Sequence, residues 1–368
     1  MSEQIPPLAT AGSVPPHPDH PSALQRTGPA PGASSPAASS PAARRGGPGG
    51  LLRGASGRNI GLVIALAVLC AVGVATAGDR FASLDNLMTI LRFAAVIGVL
   101  SVGMTFVITG GGIDLSVGSV LGLASVWATT LATQTMAQDT HWVVMVVTAL
   151  AVGTVCGLVN GVLIAYGQVV AFIATLAMMV GARGLAEVIA NRQTQLVEVR
   201  PFLDVFRAEP LGVSVIVWIF VVVAVGGWVL LNRTTFGRRT LAVGGNPEAA
   251  RLAGIRIRRH TMYLYAISGL AAGIAGVMML ARTTAGSSTN GQLYELDAIA
   301  AVVVGGTLLA GGRGTIVGTV FGVLIFATLN NVFTQNNLSI SAQSVAKGAI
   351  IVLAVLLQQR FAARSRSS

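Results

Sequence analysis

The feature of this sequence that most constrains its fold is a succession of long apolar runs, which begins near Ile60 and continues almost to the C-terminus. Many of these runs approach roughly 20 residues, the length an α-helix needs to cross a bilayer. A backbone in hydrocarbon must satisfy its own hydrogen bonds, and barrel strands would instead read as short alternating segments. Hydrophobic residues make up 53% of the chain and charged residues only 10%, unlike an ordinary soluble domain. The sequence therefore predicts an all-α, polytopic membrane protein.

About ten transmembrane helices are predicted, within a membrane domain that covers residues 59–360. Their approximate ranges are 60–77, 88–109, 115–133, 142–166, 168–190, 211–231, 261–281, 297–310, 315–334 and 343–358. Residues 1–58 hold eleven of the fourteen prolines and are rich in Ala, Ser and Gly, which predicts a disordered tail. The first apolar run lies too far along the chain for a signal peptide, so we expect it to be retained as a span.

The distribution of charge predicts which ends of these helices lie in the cytoplasm. The loop at 232–260, the C-terminal tail at 361–368 and the N-terminal tail are basic, whereas the loops on the opposite side carry a small negative excess. Because basic residues are retained on the cytoplasmic side, both termini are predicted to be cytoplasmic. The same rule accounts for the net charge of +11 without a nucleic-acid partner, since the basic residues are divided among several loops.

The sequence contains no recognisable catalytic or metal-binding motif. Cys70 and Cys156 each lie in an apolar run with no Cys or His spaced as a metal ligand, which predicts neither a disulfide nor a metal site. The motifs HExxH, GxSxG and GxxxxGK[ST] are absent, so we predict no catalytic residue and no nucleotide site in this chain. Any energy for work must then come from a partner or from an ion gradient.

The loop at 232–260 is the only long, polar and basic segment between spans. Within it, Gly-Gly-Asn-Pro at 244–247 is a turn and helix-start signal, and EAARLAG at 248–254 predicts a short helix ended by glycine. A solvated loop that only sets topology would explain the charge but not this motif. We predict a docking helix whose small residues admit a partner closely and whose Glu248 suits the helix dipole. Its candidate residues are Gly244, Gly245, Asn246, Glu248, Ala249, Ala250 and Gly254.

Two segments of the chain resemble each other. GGGIDLSVGSVLG at 110–122 aligns without gaps on AGGRGTIVGTVFG at 310–322, with six identities. Both copies place a Gly-Gly break before a GxxxG span on the predicted cytoplasmic side, an arrangement that duplicated transporter halves would produce and that close helix packing alone would also explain. We predict a hinge or inner gate, and for Asp114 a helix cap is the alternative. The candidate residues are Gly111, Gly112, Asp114, Gly311 and Gly312.

The predicted docking helix resembles the EAAxxxG coupling motif of permease subunits of ATP-binding-cassette importers, although it lacks the Ile-x-Leu-Pro continuation of many members. Further stretches are similar to the monosaccharide branch of these permeases, typified by ribose and xylose permeases. They are GGIDLSVGS at 111–119, GGNPEAARLAGI at 244–255, ELDAIAAVVVGGTLLAGGRGTIVGT at 295–319, LVNGVLI at 158–164 and LNN at 329–331. The likeness runs from about residue 60 to the C-terminus, and only the Pro-rich tail stands outside it.

This resemblance implies an importer permease with ten spans in the bacterial inner membrane, working as a homodimer. It implies a cytoplasmic ATPase subunit that docks on the predicted coupling helix, and an extracytoplasmic binding protein that delivers the sugar. It also implies no cofactor in this chain, because ATP and Mg²⁺ would be bound by the ATPase subunit. Membrane lipid is the expected surrounding medium.

A neutral sugar needs hydrogen-bonding groups along its path, and Asn160, beside a glycine stripe, is the mid-membrane candidate. Its alternative is an interhelical hydrogen bond. Asn330 and Asn331 are expected to cap the ninth span. Arg183 and Glu187 are four residues apart, which predicts that they pair on one helix face.

Two other functions stay open at the level of sequence. One is an importer permease for a small polar ligand that is not a sugar. The other is a gradient-driven secondary transporter that couples ions through Asp114 or Glu187, and it predicts uptake by this chain alone. A membrane scaffold or receptor would leave the duplicated glycine breaks unexplained.

Overall fold

The computed structural model describes residues 55–364, and within them the side chains of 60–350, 352 and 356. Fifteen α-helices, one short 3-10 turn (Pro210–Gly212) and a two-stranded antiparallel sheet occupy these residues. The helices are α1 Ala55–Ala77, α2 Asp79–Ala82, α3 Leu84–Thr109, α4 Val117–Ala128, α5 Leu131–Asp139, α6 Val143–Ala165, α7 Ala171–Ile189, α8 Arg200–Phe206, α9 Val215–Arg233, α10 Thr235–Gly245, α11 Pro247–Leu252, α12 Ile257–Thr283, α13 Tyr294–Val304, α14 Ile316–Gln335 and α15 Ile340–Arg364. The strands are β1 Gln195–Leu196 and β2 Ala285–Gly286.

The all-α membrane class is confirmed. Seven helices among the described residues are long and apolar enough to cross a membrane, namely α1, α3, α6, α7, α9, α12 and α14. Helices also occupy the other three predicted spans, as α4, α13 and α15. The paired strands are only two residues each and join the loops after α7 and α12.

Two of the ten predicted spans are too short to cross a membrane alone. Helices α4 and α13 have 12 and 11 residues, which at about 1.5 Å per residue is roughly half of a hydrocarbon core of about 30 Å. The predicted span 115–133 breaks at residues 129–130, and the predicted span 297–310 leaves the helix after Val304. A continuous apolar run in the sequence does not reveal where the helix within it breaks. Irregular backbone is tolerated at membrane depth when protein surrounds it, and nearly every α4 residue is buried.

Helices α3 and α12 form the centre of the bundle, and most of their side chains are buried. Helix α3 packs on α9, α12, α13 and α14, while α6 packs along α12. Glycines allow the second contact, since a Cβ on Gly153 would lie 2.8 Å from Cα of Gly273, and one on Gly157 would lie 2.9 Å from Cα of Gly269. The two helices therefore touch through their backbones, as small-xxx-small faces do in membranes.

The boundaries of the two predicted tails differ slightly from the structure. Residues 55–58 belong to the start of α1, and residues 361–364 end α15. The remainder of both predicted tails, residues 1–54 and 365–368, lies outside the described residues.

Candidate functional site

The basic loop at 232–260 folds into two short helices, α10 and α11, rather than one. We predicted a turn across 244–247, but Gly244 and Gly245 form the last turn of α10, and the chain changes direction at Asn246. The Oδ1 atom of Asn246 accepts a hydrogen bond from the backbone N of Ala249 at 3.0 Å, so Asn246 caps α11 and Pro247 opens it. Paired glycines in a sequence usually indicate a turn. Gly244 and Gly245 are instead helical, and they are glycines because another segment of backbone contacts them closely, as described below.

Helix α11 ends at the predicted glycine. Gly254 has φ +80°, its backbone N donates to the carbonyl O of Arg251 at 3.0 Å, and the N of Ile255 donates to the O of Ala250 at 3.1 Å. This pair of bonds is the Schellman motif, which favours glycine because its central residue is left-handed. The short helix predicted from EAARLAG therefore forms, with both ends fixed by its own sequence.

One face of α11 is exposed. Glu248 and Arg251 pair there, with Oε1 and Nη2 2.6 Å apart, and the Glu248 carboxylate raises the pKa of the Arg251 guanidinium. Leu252 beside them is 77% exposed, whereas Ala250 is buried. An apolar side chain next to an exposed ion pair on a short helix is typical of a docking surface. Leu252 was not predicted as a docking residue, although it is the one large apolar residue in EAARLAG.

Five glycines from three distant parts of the chain meet at one point on the predicted cytoplasmic side. A Cβ on Gly311 would lie 2.7 Å from the carbonyl O of Gly244 and 2.9 Å from Cα of Gly111. A Cβ on Gly312 would lie 2.6 Å from Cα of Gly245. We call this contact, formed by Gly111, Gly244, Gly245, Gly311 and Gly312, the glycine junction. Its segments touch through backbone atoms more closely than side chains would permit.

The glycine junction joins the end of α3, the end of α10 and the loop before α14. The backbone N of Gly312 donates to the carbonyl O of Thr109, the last residue of α3, at 2.9 Å. Gly111, Gly311 and Gly312 have φ of +85°, +84° and +74°, values that favour glycine. The structure thus brings together two of the predicted coupling residues, Gly244 and Gly245, and three of the predicted hinge residues. Gly112 lies apart, since a Cβ there would meet the hydroxyl of Tyr265 at 2.5 Å.

Asp114 follows the glycine junction and is buried, with 1% of its surface exposed. Its Oδ1 accepts hydrogen bonds from the backbone N and the hydroxyl of Ser116, at 3.0 and 2.6 Å. Its Oδ2 accepts one from the hydroxyl of Ser268 on α12, at 2.8 Å. Ser116 is the residue before α4, so Asp114 supports the start of that helix without being its N-cap. The carboxylate therefore ties the start of α4 to α12.

Asn160 joins the same buried cluster from α6. It is fully buried, its Nδ2 donates to the hydroxyl of Ser116 at 3.0 Å, and its Oδ1 has no hydrogen-bond partner among the described residues. This contact is the interhelical hydrogen bond that was the alternative to a place on the substrate path. Asn160 does not line the outer cavity described next. The break between α3 and α4 is therefore held against α6 and α12 by hydrogen bonds among Asp114, Ser116, Asn160 and Ser268.

A cavity of about 830 Å³ opens at the other end of the bundle. Helices α3, α12 and α14 each have one end near the coupling loop or the glycine junction and the other end at this cavity. By the charge rule this is the extracytoplasmic side, and we call the space the outer cavity. The residues that concern its chemistry are Arg92, Phe93, Arg282, Tyr294, Asp297, Asn330 and Lys347.

The charged side chains of the outer cavity mostly have partners. Lys347 Nζ lies 3.2 Å from Asp297 Oδ1, and Arg92 pairs with Glu209. The guanidinium carbon of Arg282 lies 5.1 Å from the ring centroid of Phe93. This cavity was not predicted from the sequence, because its walls come from several separate segments, and Asn330 and Asn331 were expected only to cap a helix.

Asn330 and Asn331 do not cap α14, which ends five and four residues further on and is capped by Asn336. Asn331 and Asn86 instead exchange side-chain hydrogen bonds, with Asn331 Nδ2 2.7 Å from Asn86 Oδ1 and Asn86 Nδ2 3.1 Å from Asn331 Oδ1. The side chain of Asn330 takes no part in this pair, and its Nδ2 has no hydrogen-bond partner among the described residues. We expected caps because both residues lie near a helix end in the sequence.

Arg183 and Glu187 do not pair, contrary to the sequence expectation. Arg183 donates from Nη1 to the carbonyl O atoms of Ser288 and Asn290, the latter at 2.9 Å. Glu187 lies 3.9 Å from Arg192 instead. The carbonyl groups of a fixed loop offer Arg183 acceptors that a pattern of charges along one helix does not reveal.

Comparison with known proteins decides the family. The model of the family described as the permease component of the branched-chain amino acid transport system matches residues 86–355. The chain belongs to this family. The permease is 42% identical over 302 residues to "Ribose import permease protein RbsC" of Escherichia coli K12, covering 81% of this chain and 92% of that protein. No solved structure gives a significant match.

Two further relatives extend the likeness. The permease is 42% identical over 277 residues to the protein of the same name from Bacillus subtilis, covering 75% of this chain and 85% of that one. It is 38% identical over 337 residues to "L-arabinose ABC transporter permease protein AraH" of Azospirillum brasilense, covering 91% and 95%. These matches confirm the resemblance to monosaccharide importer permeases and a multi-pass protein of the bacterial inner membrane. The family match contains the glycine junction, the Asp114 cluster and the outer cavity.

Proposed function

We propose that this permease carries a ribose-like monosaccharide as the membrane subunit of an ATP-driven importer. Relatives named as ribose and L-arabinose permeases support the substrate class. The observation that carries the mechanism is the glycine junction, where the last turn of α10 contacts the break after α3 and the break before α14. A contact of this kind gives a cytoplasmic partner a direct route to both breaks.

The partner in this proposal is a cytoplasmic ATPase subunit, which binds ATP and Mg²⁺ and docks on α11. Glu248, Arg251 and Leu252 form the exposed docking face, and Asn246 connects α11 to α10 without a flexible linker. When hydrolysis moves the docked subunit, α10 moves with α11. At the glycine junction no side chain can rotate to absorb that movement, so the displacement passes to the ends of α3 and of the loop before α14.

The hinge in this proposal is the pair of glycine breaks. Gly111, Gly311 and Gly312 already occupy backbone conformations that other residues rarely adopt, and glycine can move among them readily. The cluster around Asp114 keeps the start of α4 fixed to α12 and α6, so that these helices move as one body. Opening and closing of the breaks then alternates access to a central path.

Two other partners complete the transporter. An extracytoplasmic binding protein delivers the sugar at the side of the outer cavity, and a second copy of the permease forms a homodimer. The path for the sugar begins at the outer cavity, and Asn160 lies deeper in the bundle, where it is fully buried with its Nδ2 bonded to Ser116 and its Oδ1 without a partner among the described residues.

The proposal is tested by reconstitution. Proteoliposomes holding this permease, the ATPase subunit and the binding protein encoded beside it are supplied with D-ribose, L-arabinose, D-xylose, hexoses and polyols. We expect one pentose to stimulate ATP hydrolysis and to accumulate inside the vesicles. Stimulation by a ligand that is not a sugar would replace the substrate class. Uptake by the permease alone, abolished by an uncoupler, would show a gradient-driven transporter and contradict the proposal.

A further inference from the structure

We propose that a cavity on the predicted cytoplasmic side of the bundle binds a phosphate group, carried by an anionic lipid of the inner leaflet or by a soluble phosphate. The cavity has a volume of about 360 Å³ and lies between α10, the loop after α11 and the start of α12. We call it the inner cavity. The residues that concern its chemistry are Phe236, Arg239, Arg256, Arg259, His260 and Tyr263. This ligand is not the carried sugar, so the proposal goes beyond the proposed function.

The charged side chains of the inner cavity all have the same sign. Arg239, Arg256 and Arg259 line it, and none of the described residues in its wall is acidic. None of the three arginines has an ion-pair partner among the described residues, and all three are exposed, so a ligand can reach them. Guanidinium groups bind phosphate through paired N–H donors. Three free arginines around one small cavity are therefore suited to a phosphate group.

The start of α12 favours an anion at the same place. Helix α12 begins at Ile257, directly after Arg256, and no side chain caps it. The first N–H groups of a helix have no partner within the helix, and together with the helix dipole they attract an anion. The first turn of α12 has no acidic residue and carries Arg258 and Arg259 instead, although cations are disfavoured at this end of a helix. A bound phosphate would offset both the free N–H groups and the repulsion among the arginines.

The walls of the inner cavity are held by contacts within the protein. His260 Nε2 lies 2.9 Å from Thr240 Oγ1, and the ring centroids of His260 and Phe236 are 4.6 Å apart. These contacts hold α10 against α12. On the third side, the loop after α11 is fixed by the hydrogen bonds around Gly254. The cavity is therefore formed before a ligand arrives, which lowers the entropic cost of binding.

The inner cavity lies at the level of the lipid headgroups. Helix α9 ends at Arg233 and α12 begins at Ile257, and both are long and apolar enough to cross the membrane. The cavity is formed within about two helical turns of these two ends. Tyr263 beside it is 49% exposed, and tyrosine is enriched where a membrane meets water. Basic pockets between transmembrane helices on the cytoplasmic side bind anionic lipid headgroups, so a lipid is the nearest source of the phosphate.

The test measures how far a phosphate ligand stabilises the full-length permease in detergent micelles. Thermal unfolding is followed while phosphatidylglycerol, phosphatidylcholine or inorganic phosphate is added, the last against chloride of equal ionic strength. A ligand that binds only the folded protein raises the unfolding temperature once its concentration exceeds its dissociation constant, so each titration gives an apparent affinity. We expect phosphatidylglycerol to bind about tenfold more tightly than phosphatidylcholine, because the choline cation would be repelled by the arginines.

Two pairs of adjacent arginines supply matched controls. Arg239 and Arg259 line the inner cavity, whereas their exposed neighbours Arg238 and Arg258 do not. Substitution by glutamine removes the same charge from the same segment in each pair. Arg239→Gln and Arg259→Gln should each weaken the binding of phosphatidylglycerol by about tenfold, the effect of one hydrogen bond to a charged group, and Arg238→Gln and Arg258→Gln by less than about twofold. The unfolding temperature without additive shows that every variant folds.

The outcomes decide both the site and the source of its ligand. Stabilisation by phosphatidylglycerol that is lost only in Arg239→Gln and Arg259→Gln identifies a lipid, and the same pattern with inorganic phosphate alone identifies a soluble phosphate. Equal losses in all four variants, or equal binding of the two lipids, would reduce the effect to net charge and overturn the proposal.

Failure of both ligands to stabilise the permease would also overturn the proposal. If Arg259→Gln then lowers co-purification of the ATPase subunit and Arg258→Gln does not, the inner cavity receives an acidic side chain of that subunit instead. None of these measurements uses sugar transport, so the proposed function and the phosphate site can fail independently.

Discussion

The two ends of the bundle differ in how their helices meet. At the glycine junction, α3, α10 and the loop before α14 touch through backbone atoms, and the chain has no side chain to interpose. At the outer cavity, the opposite ends of α3 and α14 are joined by the side chains of Asn86 and Asn331, beside an open space of about 830 Å³. The comparison teaches that one set of helices serves two purposes. In the proposed mechanism, the tight backbone contact transmits movement, while the open polar space lies where the sugar would enter.

The largest effect is expected from closing the remaining space at the glycine junction. In Gly244→Ala the new Cβ would clash with the carbonyl O of Thr109 and lie 2.6 Å from the N of Gly312. Overpacking of about 1–3 kcal/mol would displace α10 from the breaks, and sugar uptake should fall by about tenfold or more. Uptake in proteoliposomes at equal protein content measures this.

The neighbouring glycine is a matched control for that change. In Gly245→Ala the nearest heavy atom to the new Cβ, apart from the residues beside it, is Cα of Gly312 at 3.7 Å, an ordinary contact. We expect this variant to transport at close to the native rate. Equal loss in both variants, or none in either, would contradict the view that backbone contact at Gly244 transmits the movement.

How far the sequence predicted these regions depends on whether their parts are contiguous. The segment NPEAARLAG at 246–254 contains the cap, the helix and the glycine end, so α11 could be predicted from local sequence. The repeated Gly-Gly breaks could also be found by alignment, yet their meeting with Gly244 and Gly245 could not, because that contact joins three distant segments. The outer cavity was missed for the same reason. Asn160 was selected because it lies beside a glycine stripe, and its bond to Ser116 could not be predicted because that bond depends on packing between the start of α4 and α6.

The next largest effect is expected at the docking face of α11. Leu252→Asp puts a charge on the exposed apolar residue of α11, and we expect the ATPase subunit to be lost while the permease still folds. Apolar anchors of interfaces contribute about 2 kcal/mol or more, so co-purification of the ATPase subunit should fall by more than tenfold. Leu211→Asp, at the 90% exposed leucine on the predicted outer side, is the control and should leave the complex intact. Undiminished binding in Leu252→Asp would exclude α11 as the docking helix.

A smaller effect on uptake, although not on stability, is expected at the buried cluster that fixes α4. Asp114→Ala removes the acceptor of three hydrogen bonds, and the free energy of unfolding should fall by about 3 kcal/mol, as for other broken buried networks. Asp114→Asn keeps an acceptor for the N–H of Ser116 and should lose less. Thermal unfolding in detergent compares the two.

Uptake by Asp114→Asn also distinguishes an ATP-driven importer from a gradient-driven transporter. ATP-driven uptake should continue in Asp114→Asn, because the importer uses this carboxyl to fix α4 and not to carry a proton. If uptake stops in Asp114→Asn while the protein remains folded and bound to the ATPase subunit, a coupling role for the carboxyl would have to replace the structural one.

The smallest effect is expected at Asn160, which lies in the tightly packed interior of the bundle. Asn160→Ala removes one interhelical hydrogen bond to Ser116, worth about 0.6–1 kcal/mol in a membrane protein, so thermal stability should fall slightly. The apparent KM for sugar should stay the same, since Asn160 is fully buried and does not line the outer cavity. A KM raised by Asn160→Ala would move the sugar path from the outer cavity into the centre of the bundle, and the two ends would then no longer divide entry of the sugar from coupling.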